Sequence, residues 1–159
     1  MNIQVRPATV EDAVGACNVV RGSILACCHD DHCGDETVIQ GWLRNKTPEF
    51  FRSVISEPNA FSVVASVKGE TVGFGSALNT GEVTLCYAVL SVRFAGVGKA
   101  LLAAIEDQAV RAGVDALRLE STRTARTFYL RNGFMPDGLP VQAFGMEALP
   151  MKKLLKPKT

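Results

Sequence analysis

One stretch constrains the fold more than any other. Val89-Leu90-Ser91-Val92-Arg93-Phe94-Ala95-Gly96-Val97-Gly98-Lys99-Ala100-Leu101-Leu102 runs from an apolar strand through a loop with two glycines straight into an amphipathic helix. The first N–H groups of a helix have no internal acceptor, and glycine lets a ligand approach the backbone closely. With Arg93 and Lys99 adding charge, the stretch predicts a pocket for a phosphate or pyrophosphate. The competing reading is a tight strand-to-helix turn that needs glycine for geometry alone. Spacing separates the phosphate loops. A P-loop requires glycine where Arg93 stands and Ser or Thr where Ala100 stands, so it fails twice. The dinucleotide fingerprint of an NAD(P)-binding oxidoreductase requires a third glycine where Leu101 stands. Glu120 lies near the distance expected of its acidic ribose partner, and that reading stays open here.

Charge narrows the partners. The 159 residues carry 17 Lys and Arg against 16 Asp and Glu, a formal net charge of +1, so no global field holds a polyanion. The expectation is no nucleic acid and no membrane surface, with any anion site local. No apolar run approaches the roughly eighteen residues of a membrane span, and Met1 to Asp12 has no apolar core resembling a secretory signal. Five cysteines, Cys17, Cys27, Cys28, Cys33 and Cys86, are an odd number that argues for reduced thiols in a cytoplasmic protein. No repeat, linker or composition shift divides the chain, so residues 1–159 are expected to form one domain.

Periodicity gives the order of elements. Ile3 to Arg6 reads as a strand, and Thr9 with Asp12 has capping-box spacing ahead of a helix reaching about Cys27. The polar run His29-Asp30-Asp31-His32-Cys33-Gly34-Asp35 is expected to be a frayed end and a solvated loop. Helical faces follow at Val38, Ile39, Trp42 and Leu43, and after the cap Thr47-Pro48-Glu49 at Phe50, Phe51, Val54 and Ile55. Phe61 to Val67, Thr71 to Leu78 and Glu82 to Val92 predict an antiparallel meander with short turns. Lys99 to Ala112 predicts a helix closed by Gly113, and Ala116 to Glu120 a strand parallel to the one before the loop. Thr124 to Asn132 predicts another helix, a last strand lies within Val141 to Met151, and Lys152 to Thr159 is expected to be a solvated tail.

Two motifs in this order carry a family resemblance. Arg93-x-x-Gly96-x-Gly98 followed by Ala100-Leu101-Leu102 resembles the acetyl-coenzyme A signature of the GNAT (Gcn5-related) N-acetyltransferases. The run from Ser121 to Phe134, with Ala125, Phe128, Tyr129 and a closing Asn132-Gly133-Phe134, resembles that family's second signature. The resemblance spans nearly the whole chain. It implies an α/β fold of the GNAT acyl-CoA N-acyltransferase type: a mixed, mostly antiparallel central sheet, split near the coenzyme and flanked by helices. It implies acetyl transfer from acetyl-CoA to a primary amine by direct attack in a ternary complex. A GNAT-like module that binds an acyl-CoA without transferring it is the alternative.

Residue by residue, the resemblance places the coenzyme pyrophosphate on Arg93, Phe94, Ala95, Gly96, Val97, Gly98, Lys99 and Ala100. It places the pantetheine arm on the strand backbone at Ala88, Val89, Leu90, Ser91 and Val92. Tyr129 is the implied general acid for the departing thiolate, with packing beside Phe128 as its other role. Thr124 stands where the family often has asparagine, and a coenzyme contact is implied through its hydroxyl. No cysteine nucleophile is required, and Cys86 is expected to be a packed thiol. Glu82, Glu120 and His29 are candidate bases without a deciding signal. The run Cys27-Cys28-His29-Asp30-Asp31-His32-Cys33 crowds metal-ligating types, but no second ligand pair at finger spacing accompanies it, so no metal is expected. If that loop borders the acceptor site, Asp30, Asp31, Asp35 and Glu36 favour a cationic amine, a small molecule or a peptide. Trp42, Phe50 and Phe51 are expected in the core before the cavity wall. The family's frequent dimers make a homodimer a further expectation.

Overall fold

Val63, Val64 and Ala65 are consecutive and buried, yet they belong to two cores on opposite faces of one sheet. Strand alternation produces this, and it explains why both faces need helical cover. The computed structural model describes residues 2–92, 94–143 and 145–156. Its first sheet has the order β1 (Ile3–Pro7), β2 (Ala60–Val67), β3 (Glu70–Leu78), β4 (Val83–Ala88), antiparallel throughout. Val63 and Ala65 face α5 (Val97–Arg111) through Leu101 and Ile105. Val64, Phe74 and Leu85 face α1 (Ala13–Cys27) and α4 (Pro48–Ser56), where Val20, Ile24 and Phe51 are fully buried.

A second antiparallel group pairs β8 (Met146–Leu154) with β5 (Ala116–Ser121) on one side and with β6 (Met135–Pro136) and β7 (Val141–Ala143) on the other. Among the described residues the two groups join at one parallel bridge, Glu82 with Arg118, where the Arg118 N–H donates to Gly81 O at 2.9 Å. Beyond it β4 and β5 part. The split, mostly antiparallel α/β sheet flanked by helices is the expected architecture, with a single bridge where a parallel ladder was expected.

Local chemistry accounts for most element ends. The Asp12 carboxylate accepts from the Thr9 N–H at 2.8 Å and pairs with Arg6, while Thr47 Oγ1 accepts from the Phe50 N–H at 3.1 Å with Pro48 in the first turn of α4. Three expectations are corrected. The strand expected to Val92 ends at Ala88. The Val89 N–H still reaches Val72 O, but Val92 then donates to Val89 O and Ala95 to Val92 O, which winds Leu90–Val92 into a 3-10 turn. The run expected to be a solvated loop forms α2 (His29–His32), with His32 buried before α3 (Glu36–Leu43). The expected tail pairs as β8 through Leu154, Lys153 bridges Glu106 at 2.5 Å, and the Leu155 N–H donates to Asp115 O. Pro157 to Thr159 and Arg93 lie outside the described residues. Among the described residues no helix is long and apolar enough to cross a membrane.

Lys46 is a charge inside the helical layer, only 5% exposed. Its ammonium donates to Asn45 Oδ1 at 2.6 Å and to Trp42 O at 3.4 Å, and lies 5.7 Å from the Phe50 ring centre. Burial pulls its pKa from the ordinary 10.5 down to about 8. Between those values the unfolded chain binds more protons than the folded one, so stability rises with pH in that window. Relative to Lys46→Met, the wild type is expected to gain stability between pH 8 and pH 10.5 in urea unfolding. A difference that stays flat over the window would remove this reading.

Candidate active site

The parting of β4 and β5 opens a cleft of about 290 Å³, lined by Val83 to Ala88 on one wall and Leu119 and Glu120 on the other. Phe94 and Gly98 of the glycine loop border it, as do Thr122, Thr124 and Ala125 of the turn after β5 and Phe128 and Tyr129 of α6 (Arg126–Arg131). Ser23, Cys27 and Cys28 at the end of α1 also line it. The two sequence motifs, separated by the rest of α5 and by β5, thus meet at one cavity.

The loop turns into α5 through a left-handed glycine. Gly96 sits at φ 91 ahead of α5, a left-handed conformation that side chains rarely adopt. A Cβ there would meet only Ile3 Cδ1 at 3.9 Å, so conformation and not space demands glycine. Gly98 is the opposite case. A Cβ there would lie 2.9 Å from Phe128 Cζ, so its glycine lets the start of α5 close onto α6. The N–H groups of Val97, Gly98 and Lys99 belong to the first turn of α5, which a helix cannot satisfy internally. Those of Ala95 and Ala100 are spent inside the loop, on Val92 O and Gly96 O, both at 3.0 Å. Lys99 and Phe94 are exposed. Of the strand residues expected to offer free ladder groups, Ala88 pairs with Gly73, and the Val89 and Val92 N–H groups are committed. Leu90 and Ser91 stand exposed in the turn. The edge that faces the cleft lies earlier, along β4.

Tyr129 is 7% exposed, held edge-on between Phe128 at 5.2 Å and Phe134 at 5.4 Å. Burial raises its hydroxyl pKa well above the ordinary value, and the neighbouring Cys86 and Tyr87 push it the same way, so it stays protonated at neutral pH. Burial likewise pushes the Cys86 thiol up to about 12, against the pull of the Tyr129 hydroxyl. Cys86 is therefore a neutral thiol on the cleft wall, unsuited to act as a nucleophile. Burial raises Tyr87 in the same direction, with the Trp42 side chain opposing.

The remaining candidates separate by position. Glu120 lines the cleft, whereas Glu82 sits at the sheet junction and His29 on α2. Trp42 and Phe51 are buried in the helical core, and Phe50 packs against Phe51 at 5.1 Å. Three of the four acidic residues expected to draw a cation have structural partners. Asp35 caps α3 by accepting from Thr37 N–H at 2.9 Å, and Glu36 accepts from Gln40 Nε2 at 2.7 Å. Asp31 Oδ1 accepts from the Arg123 N–H at 2.6 Å, and its Oδ2 from Thr124 Oγ1 at 2.6 Å. Thr124 borders the cleft with its hydroxyl proton already given to Asp31 and its lone pairs open to a further donor. Thr122, which the sequence reading missed, accepts from the Ala125 N–H at 3.2 Å and caps the turn into α6. His32 has Nε2 3.0 Å from Ile24 O, and its Nδ1 accepts from the Gly34 N–H at 3.0 Å. Among the described residues no three His, Cys, Asp or Glu side chains gather as a metal site.

The family model described as acetyltransferase (GNAT) domain matches residues 29–155. No significant match was found among curated proteins. Among solved structures the chain is similar to a GCN5-related N-acetyltransferase from Rhodopseudomonas palustris, with 23% identity over 98% of this chain and 97% of that one and a TM-score of 0.86. It is similar to the PaiA N-acetyltransferase from Thermoplasma acidophilum in complex with coenzyme A, with 22% identity over 97% and 99% of the two chains and a TM-score of 0.80. It is similar to an aminoglycoside 6'-N-acetyltransferase complexed with coenzyme A, with 17% identity over 100% and 99% and a TM-score of 0.73. At these identities the structures establish the fold, and the family model spans most of the chain. The chain belongs to the GNAT acetyltransferase family.

Proposed function

We propose that the protein transfers an acetyl group from acetyl-CoA to a primary amine of a small molecule or peptide, by direct attack with both substrates bound. The carrying observation is a buried, protonated Tyr129 hydroxyl on the wall of the cleft that the glycine loop borders. The coenzyme complexes of two structural neighbours support the choice of cosubstrate. The chain's own groups fit it: the first-turn amides of α5 suit a pyrophosphate, and the open edge of β4 suits an amide-bearing arm.

Bound acetyl-CoA supplies a thioester carbonyl and a thiolate leaving group. The protein's part is to hold that carbonyl and a neutral amine in attack geometry, away from bulk water. Tyr129 has a proton to give at neutral pH and gives it to the leaving sulfur as the carbon–sulfur bond breaks, and the proton that the attacking nitrogen sheds on becoming an amide restores the phenol. Phe128, wedged against Gly98, ties the acid-bearing helix to the loop that holds the phosphates.

A calorimetric titration of acetyl-CoA beside NADH tests the cosubstrate. Saturable heat with acetyl-CoA and none with NADH is expected. Heat with NADH alone would replace this reading with the nicotinamide one, which Leu101 in place of a third glycine already disfavours.

A further inference from the structure

The two sheets meet through Glu82 and Arg118, and a second tie joins the segment after α1 to the turn after β5, both of which follow residues that border the cleft. Asp31, on the four-residue α2, reaches residues more than ninety positions later in the chain. Its Oδ1 accepts from the Arg123 N–H at 2.6 Å, and its Oδ2 from the Thr124 N–H at 3.2 Å and from Thr124 Oγ1 at 2.6 Å. Three donors therefore converge on one carboxylate. The segment that offers Asp31 is itself pinned: buried His32 contacts Ile24 O through Nε2, receives the Gly34 N–H at Nδ1, and packs against Trp42 at 6.4 Å. The turn that receives it is also held by Glu147, with Arg123 at 3.3 Å and, at the start of α6, Arg126 at 2.9 Å. That turn leads directly into α6, at whose start the Tyr129 N–H donates to Ala125 O at 3.0 Å.

We propose that Asp31 is a positioning residue of the acetyl transfer: it clasps the α1–α2 corner to the turn before α6 and so sets where the Tyr129 hydroxyl stands in the cleft. The inference rests on the reading of Tyr129 as the acid. Charged acceptors make short, directional bonds to backbone N–H groups, which suits a clasp that fixes a turn. A displacement of even an ångström at a proton donor lowers turnover on the order of a hundredfold.

Two measurements on the full chain decide it. The first is amide hydrogen exchange on wild type and Asp31→Ala. Faster exchange at Arg123, Thr124 and Tyr129, with β2 and β3 still protected, is expected; unchanged exchange at those three amides would overturn the clasp. The second is a double-mutant cycle with Tyr129→Phe, read as kcat and KM separately. Asp31→Ala alone is expected to lower kcat on the order of a hundredfold, with coenzyme affinity and acceptor KM moved less than about threefold. On the Tyr129→Phe background the same change is expected to cost almost nothing more. An equal loss on both backgrounds, or a loss confined to acceptor KM, would overturn the positioning role. Absence of wild-type turnover with every amine would instead refute the proposed function, and the exchange result alone would then decide the clasp.

Discussion

Tyr129→Phe is expected to lower kcat by about a hundredfold or more while acetyl-CoA affinity stays nearly constant, the size typical of a lost general acid. The variant keeps the ring that packs between Phe128 and Phe134 and removes only the hydroxyl beside Cys86. Its fold is therefore expected to survive, so the loss reports chemistry. The raised pKa fixes the sign of the pH dependence. The hydroxyl is a competent donor across neutral pH and is lost as an acid only in strongly alkaline solution, so no acidic limb of the rate profile belongs to it. An unchanged rate in folded Tyr129→Phe, with the chemical step limiting, would leave the acid unassigned.

Gly98→Val is expected to be the second severe change. A Cβ at Gly98 meets the Phe128 ring at 2.9 Å, so the branched side chain forces α5 and α6 apart at an overpacking cost of about 1–3 kcal/mol. The first-turn amides of α5 move with it, and coenzyme affinity is expected to fall at least about tenfold, as 1.4 kcal/mol of lost binding requires. Gly98→Val with Phe128→Leu is expected to recover part of both losses, because the obstructing ring tip is gone. The sequence alone suggests a different cause, a side chain standing in the path of the phosphate. That cause gives an affinity loss with no rescue by Phe128→Leu, so denaturant unfolding and calorimetry on the pair separate the two. Unaltered stability and affinity in Gly98→Val would contradict both.

The glycine loop and the Ala125-Phe128-Tyr129 helix were legible because their chemistry is local: caps, first-turn amides and i, i+3, i+4 faces depend on neighbouring residues. Thr47 and Asp12 were legible for the same reason. The end of β4 was not, because Val89, Leu90 and Val92 fit either a strand or a 3-10 turn, and the Val92 to Val89 bond distinguishes them. The partner of Asp31 is the backbone of Arg123 and Thr124, which carries no side-chain signature and lies far along the chain. His32 looked solvated because histidine is polar, yet two backbone groups satisfy both its nitrogens. The lysines near the chain end hid β8, since Met151 just before them is the buried residue and Lys153 reaches out to Glu106. Gly98 reads from the sequence as a phosphate residue, and the position of Phe128 gives it a packing role that the sequence does not reveal.

Under the proposed function this cleft moves an acetyl group onto an amine. The direct measurement is release of free coenzyme A thiol from acetyl-CoA by the wild-type protein over a panel of cationic, neutral and peptide amines, with acetylated product identified by mass. Thiol release that depends on one class of amine, matches product formation and collapses in Tyr129→Phe is the predicted result. Tight binding of acetyl-CoA with no thiol release for any amine would contradict the account and make the protein an acyl-CoA-binding module.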